Sequence, residues 1–140
     1  MNVRGPESSR AIRMLYDTGA ERTCLSVKTA ISMFGREWMK ANRHNMTRIK
    51  SINASHGLTT EYVLPEMPLT ITIPQQPRSM DTVSVRVRAS VSKTGMSLLG
   101  LDAISQLPVS IKWMYEDRTE KQAQSTTADP KDAMPLSWLK

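Results

Sequence analysis

The stretch Met14-Leu15-Tyr16-Asp17-Thr18-Gly19-Ala20-Glu21-Arg22-Thr23 decides how this chain is read. An apolar run drives into Asp17, a small Ala20 follows Gly19, and Thr23 stands three residues after Ala20. By itself Asp-Thr-Gly makes an ordinary turn, in which the carboxylate caps its own backbone and Gly accepts φ > 0. The flanks ask for more than a turn. Arg10 to Tyr16 reads as a strand that ends in an elbow and presents a carboxylate at the end of a buried strand.

Working outward, Val27, Ala30, Ile31, Phe34 and Trp38 recur on one helical face, with Ser26 available as N-cap. Met39 to Thr47 is polar and irregular. Ile49 to Val63 reads as two extended arms around Asn53-Ala54-Ser55-His56-Gly57, whose turn-forming residues suit a hairpin tip. Leu69, Ile71 and Ile73 alternate with Thr70 and Thr72. Val83, Val85, Val87, Ala89 and Val91 alternate with Ser84, Arg86, Arg88 and Ser90; both are half-buried strands of period two. Met96-Ser97-Leu98-Leu99-Gly100 is a short apolar run ending at glycine. Leu101 to Gln106 suits a helical turn or two, stopped by Pro108, and Val109, Ile111, Trp113 and Tyr115 alternate as a last strand. The class expected is mainly β with one or two short helices and no internal repeat.

From Glu116 the composition changes. Residues 117–136 are rich in Gln, Ser, Thr, Asp, Lys and Pro, so the organisation expected is a domain over 1–116 and a flexible tail or linker over 117–140. The small apolar terminus Leu136-Ser137-Trp138-Leu139 either docks on the domain or begins a further one.

The 140 residues allow one domain of ordinary size, and 39% apolar with 23% charged residues is a globular balance. A lone Cys24 excludes an intramolecular disulfide, and with His44 and His56 as the only histidines no zinc site is expected. No apolar run is long enough to suggest a membrane span, and residues 1–10 hold no secretory h-region, so neither a membrane nor export is expected. The net charge of +6 is uneven: nine Lys/Arg fall in residues 10–50 and none in residues 51–77. A basic surface attracts nucleic acid. Here there is no basic block with interleaved aromatics and only one phenylalanine, so a solvated basic face is the simpler reading and nucleic acid is not an expected partner. The ten methionines are read as core filling.

Two motifs together resemble the retropepsin-like aspartic proteases, the retroviral, retrotransposon and cellular family. The first is Leu15-Tyr16-Asp17-Thr18-Gly19-Ala20, and the second is Ser97-Leu98-Leu99-Gly100-Leu101-Asp102-Ala103-Ile104, with a hairpin between them where that family carries its flap. The resemblance spans Arg10 to Tyr115. It implies a closed-barrel-like acid-protease fold, one lobe per chain. It implies Asp17 as the catalytic acid/base, Thr18 as a bond between two active-site loops, and Gly19 as a point of close backbone approach. Ala20 and Glu21 would line the cleft, Glu21 accepting a substrate N–H. His56 and Gly57 would sit at the flap tip, where His56 also reads as an ordinary exposed turn residue. Leu99 and Gly100 would pack behind the Asp17 loop. Retroviral members often have Arg after the second-motif Gly; here the residue is Leu101.

Hydrolysis by paired carboxylates needs two Asp sharing one proton, one activating water and the other polarising the scissile carbonyl. Only one Asp-Thr-Gly is present, so the active form expected is a homodimer with Asp17 and its symmetry mate as the pair. The expected function is an aspartic endopeptidase that cuts a retroelement polyprotein, its own, in the cytoplasm or within virus-like particles, with no metal or organic cofactor. The alternative is a catalytically weak protease-fold module that dimerises or binds peptides.

Overall fold

A computed structural model describes residues 1–53, 57–74, 80–93, 95–108, 126–129 and 133–140. The chain opens with three short strands, β1 (Asn2–Arg4), β2 (Ile12–Arg13) and β3 (Leu15–Tyr16), then the Asp17 loop and β4 (Cys24–Ser26). Two helices follow, α1 (Val27–Phe34) and α2 (Arg36–Ala41), with a 3-10 turn over Arg43–Asn45. Next come β5 (Thr47–Asn53), β6 (Gly57–Val63), β7 (Met67–Pro74), β8 (Met80–Val87), β9 (Ser90–Ser92), β10 (Leu98–Leu99) and α3 (Leu101–Ile104). The chain closes with β11 (Thr126–Asp129) and a 3-10 turn over Leu136–Leu139.

The protein is mainly β with short helices, as expected. The expected closed barrel is not found among the described strands. The described strands form two open sheets, ordered β2-β1-β7-β8 and β11-β5-β6-β9-β4-β10-β3. The chain changes sheet at three breaks, a common way for strands to turn corners between packed sheets, one of them at Leu64–Glu66, where it passes from β6 in the second sheet to β7 in the first. At Met14 it passes from β2 in the first sheet to β3 in the second. At Arg88-Ala89 it passes from β8 to β9. The alternation of residues 83–91 therefore holds only to Ala89. Ser90, placed on the solvent face by its spacing, is buried, because β9 lies between β6 and β4 and hides all three of its residues.

Within the first sheet β7 obeys its pattern: Leu69, Ile71 and Ile73 are fully buried and Thr70 and Thr72 half-buried. β1 adds a strand that the polar N-terminal composition did not suggest, pairing with both β2 and β7 and burying Val3. The open edge of β8 is covered at one point by the Gln106 amide. It accepts from the Arg86 N–H at 3.1 Å and donates to the Arg86 carbonyl at 2.7 Å.

The predicted helical face is present but bent. Ser26 caps α1, accepting from the Thr29 N–H at 3.1 Å. Gly35, at φ +89°, then breaks the helix, a backbone geometry that only glycine adopts cheaply. Phe34 and Trp38 still meet across the break, ring centroids 5.4 Å apart. Ala30, Met33 and Phe34 of α1 join Leu25, Leu69, Ile71, Val85, Val91, Leu99 and Ala103 in one apolar cluster under both sheets.

The expected hairpin is observed: β5 and β6 pair from Thr47↔Val63 to Asn53↔Gly57. The tip residues 54–56, the expected strand Val109–Tyr115 and residues 117–125 lie outside the described residues. No described helix is long and apolar enough to cross a membrane.

Two pieces of the expected tail are built into the fold. β11 pairs with β5 from Thr126↔Ser51 to Asp129↔Arg48. Beyond it Met134 and Leu139 are fully buried, the Arg43 guanidinium donates to the Met134 carbonyl at 2.9 Å, and Trp138 packs edge-on to Tyr62 at 5.0 Å. For residues 126–129 and 133–140 the expectation of a flexible tail is thus corrected. The composition of residues 117–136 is polar, but three apolar side chains near the end suffice to anchor the last turn. Leu139→Ala is expected to lower stability by about 2–4 kcal/mol in urea unfolding, as for other buried leucines. An unchanged unfolding midpoint would contradict the docking.

Candidate active site

The Asp17 loop leaves β3 and returns as β4, and β10 runs between those two strands. β10 is parallel to β3 (Leu98↔Leu15, Leu99↔Tyr16) and antiparallel to β4 (Leu98↔Cys24). The loop therefore arches over the end of β10, and main-chain bonds fasten it there. The Asp17 N–H donates to the Leu99 carbonyl at 3.0 Å. The Leu101 N–H donates to the Ala20 carbonyl at 2.8 Å, and the Asp102 N–H to the Glu21 carbonyl at 3.2 Å. The structure thus brings Asp17, Thr18, Gly19, Ala20 and Glu21 together with Leu99 and Gly100, the two segments singled out in the sequence.

Gly100 is what allows the crossing. A Cβ on it would lie 2.4 Å from the Arg22 carbonyl carbon and 2.8 Å from the Thr23 nitrogen, so no larger residue fits without moving backbone. Its N–H donates to Thr23 Oγ1 at 3.2 Å. The Asp102 carboxylate completes the brace. Its Oδ1 accepts from Thr23 N–H at 2.9 Å, from Thr23 Oγ1 at 2.7 Å and from its own neighbour Ala103 N–H at 2.8 Å. Thr23 itself is fully buried. Bonds to an ionised acceptor are stronger than neutral ones, and here they tie both ends of the crossing to one group. Asp102 was visible in the second motif, but its role was not. The available signal was a lone acid inside an otherwise apolar segment, Leu98 to Ile104.

Inside the loop, Asp17 Oδ1 accepts from the Gly19 N–H at 2.8 Å, and the Ala20 N–H reaches back to the Asp17 carbonyl at 3.3 Å. This is the local turn that the triplet alone would make. It fixes one carboxylate oxygen and orients the other. Asp17, Thr18 and Gly19 are half-buried, Ala20 is buried and Glu21 is exposed. Gly57, at φ +71°, is an exposed residue at the start of β6. No hydrogen bond among the described residues joins it to the Asp17 loop, and His56 lies outside the described residues.

A hydroxyl relay links the loop's support to α1. Ser97 Oγ, just before β10, accepts from the Ser26 N–H at 3.2 Å and donates to Thr29 Oγ1 at 2.9 Å. Cys24 on β4 is not a nucleophile candidate. Burial pushes its thiol up to about 11, with the negative charges of Glu61 and Asp102 adding to the effect, although the Ser90 hydroxyl at 3.3 Å opposes it. The thiol is neutral in the physiological range. Among the described residues no group of three His, Cys, Asp or Glu side chains is arranged to hold a metal ion.

Comparison with known proteins finds no family model, no curated protein and no solved structure that matches the chain.

Gly100→Ala is expected to destabilise the fold by about 2 kcal/mol or more, through displacement of the Arg22-Thr23 backbone. Asp102→Ala is expected to cost about 2–4 kcal/mol by leaving Thr23 without its acceptor, and Asp102→Asn less, since one oxygen is kept. Thermal and urea unfolding of the three variants measures this. Equal stability of Asp102→Ala and the unaltered chain would show that the brace is idle.

Proposed function

We propose that this protein is an aspartic endopeptidase of the retropepsin kind, active as a homodimer. The observation that carries the reading is the Asp17 loop: a half-buried carboxylate at a strand end, one oxygen held by the Gly19 N–H, on a loop clamped by the Leu99-Gly100-Leu101 segment. A turn that served only to reverse the chain would not need a second, distant segment beneath it.

The chemistry follows from the residues. A carboxylate so fixed meets water with one defined oxygen. Opposite a second such carboxylate, one proton is shared, because like charges a few ångströms apart do not both ionise easily. The ionised member takes a proton from water as water attacks the scissile carbonyl. The protonated member gives its proton to the carbonyl oxygen, and the resulting tetrahedral species collapses with proton transfer to the departing nitrogen. The chain holds one Asp-Thr-Gly, so the second carboxylate comes from a second copy about a two-fold axis.

Exposed apolar side chains support a partner beside this loop. Leu15, two residues before Asp17, is 51% exposed, and Leu101, bonded through its N–H to Ala20, is 37% exposed. Ile52 and Leu58, directly opposite on the hairpin, are 47% and 64% exposed. β3 is also an end strand of its sheet. An extended peptide, held by main-chain bonds with pockets for alternate side chains, is the substrate that a cleft between two such loops would take. A polyprotein of the same genetic element is the physiological substrate we favour, and the cytoplasm or a virus-like particle the setting.

Incubation of the protein with a library of unstructured peptides between about pH 4 and 7 tests the reading, with cleavage read by mass spectrometry. Pepstatin-sensitive cleavage is expected, and Asp17→Asn should abolish it while leaving the unfolding midpoint nearly unchanged. Cleavage that persists in Asp17→Asn would refute the assignment. Peptide binding without cleavage by the unaltered dimer would favour a binding module instead.

A further inference from the structure

A cavity of about 420 Å³ opens where the start of α1, the start of α2, the chain just after β9 and the C-terminal turn meet. Four cationic residues line it: Lys28 on α1, Arg36 on α2, Lys93 after β9 and Lys140. Among the described residues no acidic side chain lines it. None of the four makes an ion pair with a described residue. Trp138 and aliphatic side chains of α1 supply an apolar wall, and Ser26 and Ser137 border the same space. The cavity shares no residue with the Asp17 loop.

Like charges gathered from separate segments repel one another, and a fold that collects them in a concave, partly apolar site concentrates positive potential there. A terminal carboxylate on Lys140, in a chain that ends there, would offset one of the four charges and leave the cavity positive. α1 also begins at this wall, and a helix start favours anions by a smaller amount. The volume lies within the range of small-molecule sites, about 300–1,000 Å³. An inorganic anion would leave most of that space and the indole unused. A ligand with several phosphate charges and a planar ring uses both, since cations hold phosphates and an aromatic wall stacks a base.

We infer that this cavity binds a nucleoside phosphate, independently of the proteolytic reading. The ligand is either a free nucleotide or one unit of a single strand. Residue order alone does not reveal it, because the cations come from separate segments and form no basic block. Only the docking of the last turn brings Trp138 and Lys140 to α1.

The full chain, titrated at low salt with ATP, with a short single-stranded oligouridylate and with tripolyphosphate, tests this by Trp fluorescence and calorimetry. Binding of ATP or of the oligonucleotide, weakening as salt rises, is expected. Arg36→Glu with Lys93→Glu should weaken it by about tenfold or more, and Trp138→Phe should remove the fluorescence change. ATP binding with no gain from the oligonucleotide assigns a free nucleotide, whereas tighter oligonucleotide binding with a steep salt slope assigns a strand. No binding of either, binding unaltered in the double variant, or tripolyphosphate binding as tightly as ATP overturns the inference. Each of these outcomes leaves the endopeptidase reading untouched, because Asp17 takes no part.

Discussion

The contact on which the structure depends is the approach of Gly100 to the Arg22-Thr23 backbone, locked by the Asp102 carboxylate. It joins two segments far apart in the chain and buries Thr23 completely between them. Each hydrogen bond in the crossing contributes about 1 kcal/mol net, and the charge-assisted ones more. The exposed pairs Lys40–Glu37 and Arg86–Glu66 contribute about 0–1 kcal/mol each. Electrostatics in this crossing therefore acts through the half-buried Asp102 carboxylate, while the exposed pairs add little.

Geometry follows from that contact. With β10 held between β3 and β4, main-chain bonds tie the loop between those strands to the Leu99–Asp102 segment, and the Gly19 N–H holds one Asp17 oxygen. Support passes further back through Ser97 to the cap of α1 and through Ser90 to Cys24. Besides the Asp102 carboxylate, the polar side chains in this support are hydroxyls and one thiol, small groups that fill short gaps.

Period-two spacing made β7 and β8 legible, because each has one face on the core and one toward water, whereas the β5–β6 hairpin was legible from the turn-forming residues 53–57, since β6 grades from exposed at Gly57 to buried at Val63 instead of alternating. The helix was legible for the same reason at period 3.6, apart from its break at Gly35, where glycine's φ rather than hydrophobicity decides. β1 was not legible: Val3 is its only apolar residue, and a three-residue strand carries too little pattern. The changes of sheet at Met14 and Arg88-Ala89 were hidden because a bend leaves side-chain alternation intact for a residue or two on either side. The Asp17 and Gly100 segments stood out by their residue types, and their meeting is a tertiary fact. The brace by Asp102 and the docking of Trp138 and Leu139 depend on contacts across most of the chain, which no local spacing encodes.

A loop that presents a single oriented carboxylate does acid–base hydrolysis only with a second one opposite. Mixing tests this most directly. Unaltered chains are equilibrated with increasing proportions of Asp17→Asn chains at constant total protein, and peptide cleavage is measured. If each active unit needs two intact Asp17 side chains, activity falls as the square of the unaltered fraction, to about one quarter at equal mixture. A linear fall, to about one half, would mean that one chain suffices and would contradict the account.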